Sequence, residues 1–198
     1  EDLGAEKTLA SVGRKPVIKG IGLENLNIPT ERGAVITDGF MKTGVPGVYA
    51  AGDVNGKHML AHTAYREAEV AVNNILGRRD IMEYNAIPSV IYTNPEAAGI
   101  GETLETATQK GISASETKLA MQYSGRFLAE NEGGSGFIKL VWSGAKLIGA
   151  HMLGNPSSEI ISTLSAIMYR EMSLNQIKKL IFPHPTVAEI IKEAAFHA

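Results

Sequence analysis

The chain has 198 residues, 44% of them hydrophobic and 20% charged, which is enough apolar material to bury a real core in one large domain or parts of two. A formal net charge of -2, with no run of Lys and Arg longer than two, argues against nucleic acid as a partner. No apolar run approaches the roughly 20 residues a membrane helix needs, no signal peptide is visible, and the absence of cysteine removes disulfides, thiolate metal sites and a cysteine nucleophile from this chain. We therefore expect a soluble, cytoplasmic protein without a membrane partner or a metal site. The chain opens on Glu1 rather than Met and enters a predicted strand, Thr8 to Gly13, almost at once, so a fragment is expected.

That strand runs into Gly13-Arg14-Lys15-Pro16, where glycine permits a sharp turn and proline forbids continuation. A weakly structured connector spans Ile21 to Ile28. Short strands are predicted at Ala34 to Ile36 and Gly47 to Ala51, separated by Gly, Asp and Pro turn residues. The second of these ends in Gly52-Asp53, and Met59-Leu60-Ala61-His62 follows at a helix start. Ligands of open α/β folds sit at strand carboxyl ends and helix N-termini. The Asp53 carboxylate can accept from sugar-like hydroxyls, although a turn or a cap at Asp53 fits the same pattern. His62 reads equally as an ordinary helix histidine.

The helix is predicted from Leu60 to Leu76, with Ala61, Ala64, Ala68, Ala71, Val72 and Ile75 forming an inner face of small residues and Gly77 as the stop. Arg78-Arg79-Asp80 reads as its solvated end. The composition changes at Asn85 to Pro88, which divides the chain into domains 1–85 and 86–198. The second half reads as α+β. It has a proline-bounded strand, Ile87 to Pro95, a short helix, Thr103 to Gln109, and a strand, Thr117 to Met121. A glycine bend, Gly133 to Gly136, precedes a hairpin of Phe137 to Trp142 and Lys146 to Leu153, and helices are expected at Ser157 to Arg170, Ser173 to Leu180 and Thr186 to Ala195. The glycine bend lacks the lysine of a P-loop and is read as a turn.

Near the C-terminus, Phe182-Pro183-His184-Pro185-Thr186-Val187-Ala188-Glu189 sets one imidazole between two prolines. Proline restricts its own φ and the residue before it, so His184 projects from a stiffened turn. Glu189, one turn into the following helix, is in reach of the far imidazole nitrogen, as the orienting partner of a general base is. Thr186-x-x-Glu189 also has capping-box spacing, and the two roles are compatible.

Taken in order, Gly13-Arg14-Lys15-Pro16, Gly47 to Asp53, Met59-Leu60-Ala61-His62, Pro88 to Glu96 and His184-Pro185-Thr186-Val187-Ala188-Glu189 resemble the C-terminal part of the dihydrolipoamide dehydrogenases, within the flavin-dependent pyridine nucleotide-disulfide oxidoreductases. The resemblance covers essentially the whole chain. It implies the C-terminal end of an FAD- and NAD-binding α/β region, followed by an α+β interface domain with an antiparallel sheet and flanking helices. It also implies oxidation of dihydrolipoamide to lipoamide, with electrons passing through a cysteine pair and FAD to NAD+. By the same resemblance Gly13 touches the nicotinamide nucleotide, Asp53 holds the ribityl chain of FAD, and Met59, Leu60, Ala61 and His62 lie beneath the flavin. His184 is implied as the base that takes a thiol proton and Glu189 as its orienting partner. The implied partners are a second copy in a homodimer and the dihydrolipoyl groups of a 2-oxo acid dehydrogenase acyltransferase or a glycine cleavage carrier. Phe182-Pro183 stands where the family commonly has His-Ala, which removes any accessory histidine there. The flavin fingerprint, the cysteine pair and the NAD glycine motif are absent from this chain, so by itself it does not complete that reaction. A competing expectation is a polypeptide that acts only as a dimerisation or binding module, and a third is a sister disulfide reductase.

Overall fold

The computed structural model describes residues 4–198, so the first three residues of the predicted 1–85 domain lie outside the described residues. The chain forms two compact units, Glu1–Glu83 and Tyr84–Ala198.

The first unit is sparse in regular structure. A 3-10 turn, Leu23–Leu26, leads into a two-stranded antiparallel ribbon of β1 (Thr30–Glu31) and β2 (Ala34–Val35), and a second 3-10 turn, Asp53–Asn55, precedes helix α1 (Ala61–Ile75). The strand expected at Thr8 to Gly13 does not form. Leu9 and Val12 are almost fully exposed, and an extended segment needs a neighbouring backbone to take up its amides and carbonyls, which among the described residues it does not have. The run Gly47 to Ala51 is likewise no strand. It makes a single antiparallel bridge, Lys42 to Tyr49, flanked by the Ala50 amide donating to the Met41 carbonyl.

Helix α1 occupies the predicted span, with Leu60 and Leu76 as its caps and Gly77 beyond. Its inner face differs from the expected one. Thr63, Glu67, Val70 and Ala71 are the buried residues, while Val72 and Ile75 are exposed. The helix is rotated because a glutamate, not an alanine, has the strongest partners on the inside. Nor is Asp80 a solvated helix end. Arg66 donates to both of its oxygens, at 2.8 and 2.6 Å, and Asn73 donates at 2.8 Å, so the chain leaving the helix is tied back onto it. The guanidinium and the amide hold the Asp80 carboxyl down at about 2.

The second unit is an antiparallel sheet in the order β3-β4-β7-β6-β5: β3 (Ser89–Ile91), β4 (Ala97–Gly101), β7 (Lys146–Leu153), β6 (Phe137–Ser143) and β5 (Ser115–Ala120). The expected hairpin is present, paired from Phe137–Leu153 to Ser143–Lys146 with a register shift at Val141/Trp142. The short helices α2 (Leu104–Gln109), α3 (Gly125–Glu130) and α5 (Leu174–Ile177) connect the longer elements. Helix α4 (Ser157–Tyr169) packs on β4 and β7, and α6 (Ile190–Phe196) on β5 and β6.

Period-two alternation puts Ile138 and Leu140, Ala150 and Met152, and Ala98 and Ile100 into one core with Leu164, Ile190 and Ile191 of the helices. Trp142, the only tryptophan of the chain, is buried there with its indole N–H donating to Thr117 Oγ1 at 3.2 Å. The turn after β3 is fastened to the start of α4, where Glu96 Oε2 accepts the Ser158 amide at 2.9 Å, a carboxylate placed at the positive end of a helix.

Candidate functional site

The loop before the last helix carries the pair predicted as a base and its partner. Lys192 Nζ donates to the Leu180 carbonyl at 3.0 Å, which anchors one end of the loop. At the other end, Ser124, buried at the start of α3, donates to the Thr186 carbonyl at 3.2 Å and accepts the Phe127 amide. Between these anchors the chain has no regular structure and bends at His184 and Pro185, which are joined by a cis bond, and it closes on a 3-10 turn, Val187–Glu189, that runs into α6.

The His184 side chain is 82% exposed. Its Nδ1 lies 3.0 and 3.2 Å from the two oxygens of Glu189, whose Oε2 also accepts the Thr186 amide at 2.8 Å. Glu189 therefore makes both contacts that its position in the sequence offers, one to the turn and one to the imidazole. The Thr186 amide, and after it the His184 ring, hold the Glu189 carboxyl below the ordinary carboxylate range, so at neutral pH it only accepts. Nδ1 is then the protonated nitrogen, and Nε2 presents its lone pair outward as a base requires. A groove of about 380 Å³, lined by Pro156, Ile160 and Val187 together with the charged Arg126, Glu130 and Glu159, runs beside the same turn.

In the first unit, Gly13 has φ 110° and open space where a Cβ would stand, so the backbone conformation, not crowding, calls for glycine there. The next residue, Arg14, donates to Asp53 Oδ2 at 2.9 Å, an exposed pair that leaves Oδ1 for another donor. Gly52 has φ 84°, and a Cβ on it would lie 3.2 Å from the Ala64 Cβ, so the loop and α1 approach closely only because this residue is glycine. Met59 and Leu60 are half-buried, while Ala61 and His62 are exposed. Leu60 stands at the helix cap in extended backbone without a side-chain hydrogen bond, offering the first amides of α1 no oxygen. The carboxylate at Asp53 and the uncapped helix start suit a hydroxylated chain and an electron-rich ring. Residue-by-residue reading missed Glu67 and Arg14, which hold this loop. The available signal was a glutamate four residues from Thr63 and four from Ala71, on the stripe that turns inward.

The family model described as pyridine nucleotide-disulphide oxidoreductase, dimerisation domain, matches residues 87–195, and the one described as pyridine nucleotide-disulphide oxidoreductase matches residues 1–68. The chain belongs to the pyridine nucleotide-disulphide oxidoreductase family. It is 38% identical over 193 residues to a dihydrolipoyl dehydrogenase of Chlamydia muridarum, covering 96% of this chain and 41% of that protein. A dihydrolipoyl dehydrogenase of Rhizobium etli is 35% identical over 202 residues, covering 100% of this chain and 42% of that protein. Among solved structures, LpdA from Mycobacterium tuberculosis superposes with a TM-score of 0.83 at 25% identity, over 92% of this chain and 40% of that one. The flavoprotein disulfide reductase RclA from Escherichia coli shares the fold, with a TM-score of 0.81 at 22% identity over 94% of this chain and 44% of that one. The chain thus spans about two-fifths of the length of the curated relatives it matches. Among the described residues no helix is long and apolar enough to cross a membrane.

Proposed function

We propose that this chain is the C-terminal part of a flavoprotein disulfide oxidoreductase that oxidises dihydrolipoyl groups to lipoyl groups, with His184 as the base. The observation that carries the reading is the exposed imidazole whose Nδ1 is held 3.0 Å from an ionised Glu189. A thiol with a pKa near 8.5 is mostly protonated at neutral pH, so a base positioned at the substrate raises the thiolate fraction as attack occurs. His184 Nε2 takes the first thiol proton. The thiolate attacks one sulfur of an enzyme disulfide contributed by sequence outside this chain, the disulfide breaks, and its other sulfur leaves as thiolate. His184 Nε2 stands ready for the second proton once the first has passed to solvent, and the substrate thiolate then displaces the enzyme sulfur to close lipoamide. FAD, and NAD+ beyond it, would supply the two-electron acceptor that restores the disulfide.

Within this chain, Asp53 would hold hydroxyls of the FAD ribityl chain, Met59 to His62 would present the start of α1 beneath the ring, and Gly13 would lie against the nicotinamide nucleotide. Two copies would pair through the second unit, and the dihydrolipoyl arm of an acyltransferase or glycine cleavage carrier would reach His184. Dihydrolipoamide oxidation by the full-length protein, with and without His184→Gln, tests the reading. The expected outcome is a yellow protein in both cases with turnover lost by roughly 100-fold to 10,000-fold in the variant. Undiminished turnover in the variant overturns it. The competing reading, a module that only pairs or binds, is favoured by the independent core of the second unit, and it predicts a colourless preparation without NAD-linked activity.

A further inference from the structure

Glu67 is fully buried on the inner face of α1, an environment that carboxylates enter only with partners. Its Oε2 accepts the Gly52 amide at 2.6 Å and the Asn55 side-chain amide at 2.8 Å. These two donors flank Asp53, and the 3-10 turn they bracket is closed by the Asn55 amide on the Gly52 carbonyl and the Gly56 amide on the Asp53 carbonyl. One buried oxygen therefore holds the residue before the turn and the last residue of the turn, and the partly exposed Asp53 carboxylate stands on the first residue between them. Both bonds are shielded from water, since Gly52, Asn55 and Glu67 are all buried. Glu67 lies about two helical turns from Met59 to His62. It thereby joins the two pieces of backbone that have to face one ligand, the Asp53 turn and the start of α1.

We propose that Glu67 is a positioning residue for cofactor binding, one that touches no ligand itself but sets where Asp53 stands relative to the start of α1. The proposal rests on the reading that Asp53 holds the ribityl hydroxyls of FAD. Its distinguishing consequence is that Glu67 acts through Asp53. In the full-length protein freed of flavin, FAD titrated by fluorescence should bind Glu67→Gln about tenfold more weakly than wild type, because the amide puts an NH2 group, itself a donor, where only acceptors suit the Gly52 and Asn55 N–H groups. In an Asp53→Ala background the same substitution should cost almost nothing further. The unfolding midpoint of the flavin-free Glu67→Gln protein should stay close to that of the wild type, since the side chain keeps its shape and an acceptor oxygen. Unchanged FAD affinity, or a loss fully additive with Asp53→Ala, overturns the proposal and assigns Glu67 to fold stability alone. A wild-type protein that fails to take up FAD overturns instead the reading on which it rests, and that result appears before any substitution is made.

Discussion

An imidazole exposed on a loop ordinarily samples several rotamers and both tautomers. His184 is restricted on both counts, because an ionised carboxylate on a helical turn accepts from Nδ1 while the neighbouring prolines limit the backbone that carries it. Glu189 does two jobs with one group, and two substitutions separate them. Glu189→Gln keeps an oxygen for the Thr186 amide but loses the charge opposite the ring. It should leave the thermal midpoint near that of wild type and slow dithiol oxidation by roughly tenfold or more, as orienting carboxylates do in other base-catalysed sites. Glu189→Ala removes both and should lower the midpoint as well as the rate, which a thermal melt beside a turnover assay would read. The depressed Glu189 carboxyl also sets a direction in pH. Its contribution is present above the ordinary glutamate range near 4.3 and is lost as pH falls through the lower folded value. The pair was legible in the sequence because its members stand five positions apart and proline restricts the backbone between them. The tie from Glu67 to Gly52 was not, because it spans fifteen residues and depends on how a loop returns to a helix.

At the scale of elements, local pattern specified what local chemistry decides, and clearance decided the rest. The hairpin of β6 and β7 was readable from alternation and from the Ser143-Gly144-Ala145 turn. Strand β4 was not, since Ala97-Ala98-Gly99-Ile100-Gly101 has little of the β-branched and aromatic content that marks strands. Its residues are selected for what they leave empty: a Cβ on Gly99 would meet His151 Nδ1 at 2.8 Å, and one on Gly101 would meet the Ile148 carbonyl at 2.3 Å. The end of α1 shows the same limit, because charged residues at a helix terminus look solvated until the partner across the turn is known. Asp80→Asn should remove the ion pair with Arg66 and lower stability by about 1 kcal/mol. With its folded value held at about 2, the Asp80 carboxylate contributes fully above the unfolded value near 3.9 and progressively less toward pH 2. Thermal melts across that range should therefore fall more steeply for wild type than for Asp80→Asn. Leu164, fully buried between α4 and the sheet, should cost about 2–5 kcal/mol when replaced by alanine, read from the denaturant midpoint.

The whole chain consists of two units that differ in how far each covers its own apolar surface. In Tyr84–Ala198 one continuous core joins all five strands' neighbourhoods to α4 and α6, and burial on that scale is what cooperative folding of about 115 residues requires. Among the described residues of the first unit the buried apolar ones are Ile28, Val35, Met41, Val70, Ala71 and Met82, whereas Leu9, Val12, Val17, Tyr65, Ile75 and Leu76 are exposed. So few buried apolar side chains leave little to offset the conformational entropy lost on ordering the chain. Expressed alone, residues 84–198 should therefore unfold in a single cooperative transition, with Trp142 emission moving to the red as the indole leaves the core. Residues 1–83 alone should give a broad, weakly cooperative change in circular dichroism. A sharp transition in the shorter piece would mean that the 3-10 turns and the Glu67 anchor stabilise it far beyond what its apolar burial supplies. Absence of a transition in the longer piece would mean that the sheet and its helices depend on contacts from outside their own core.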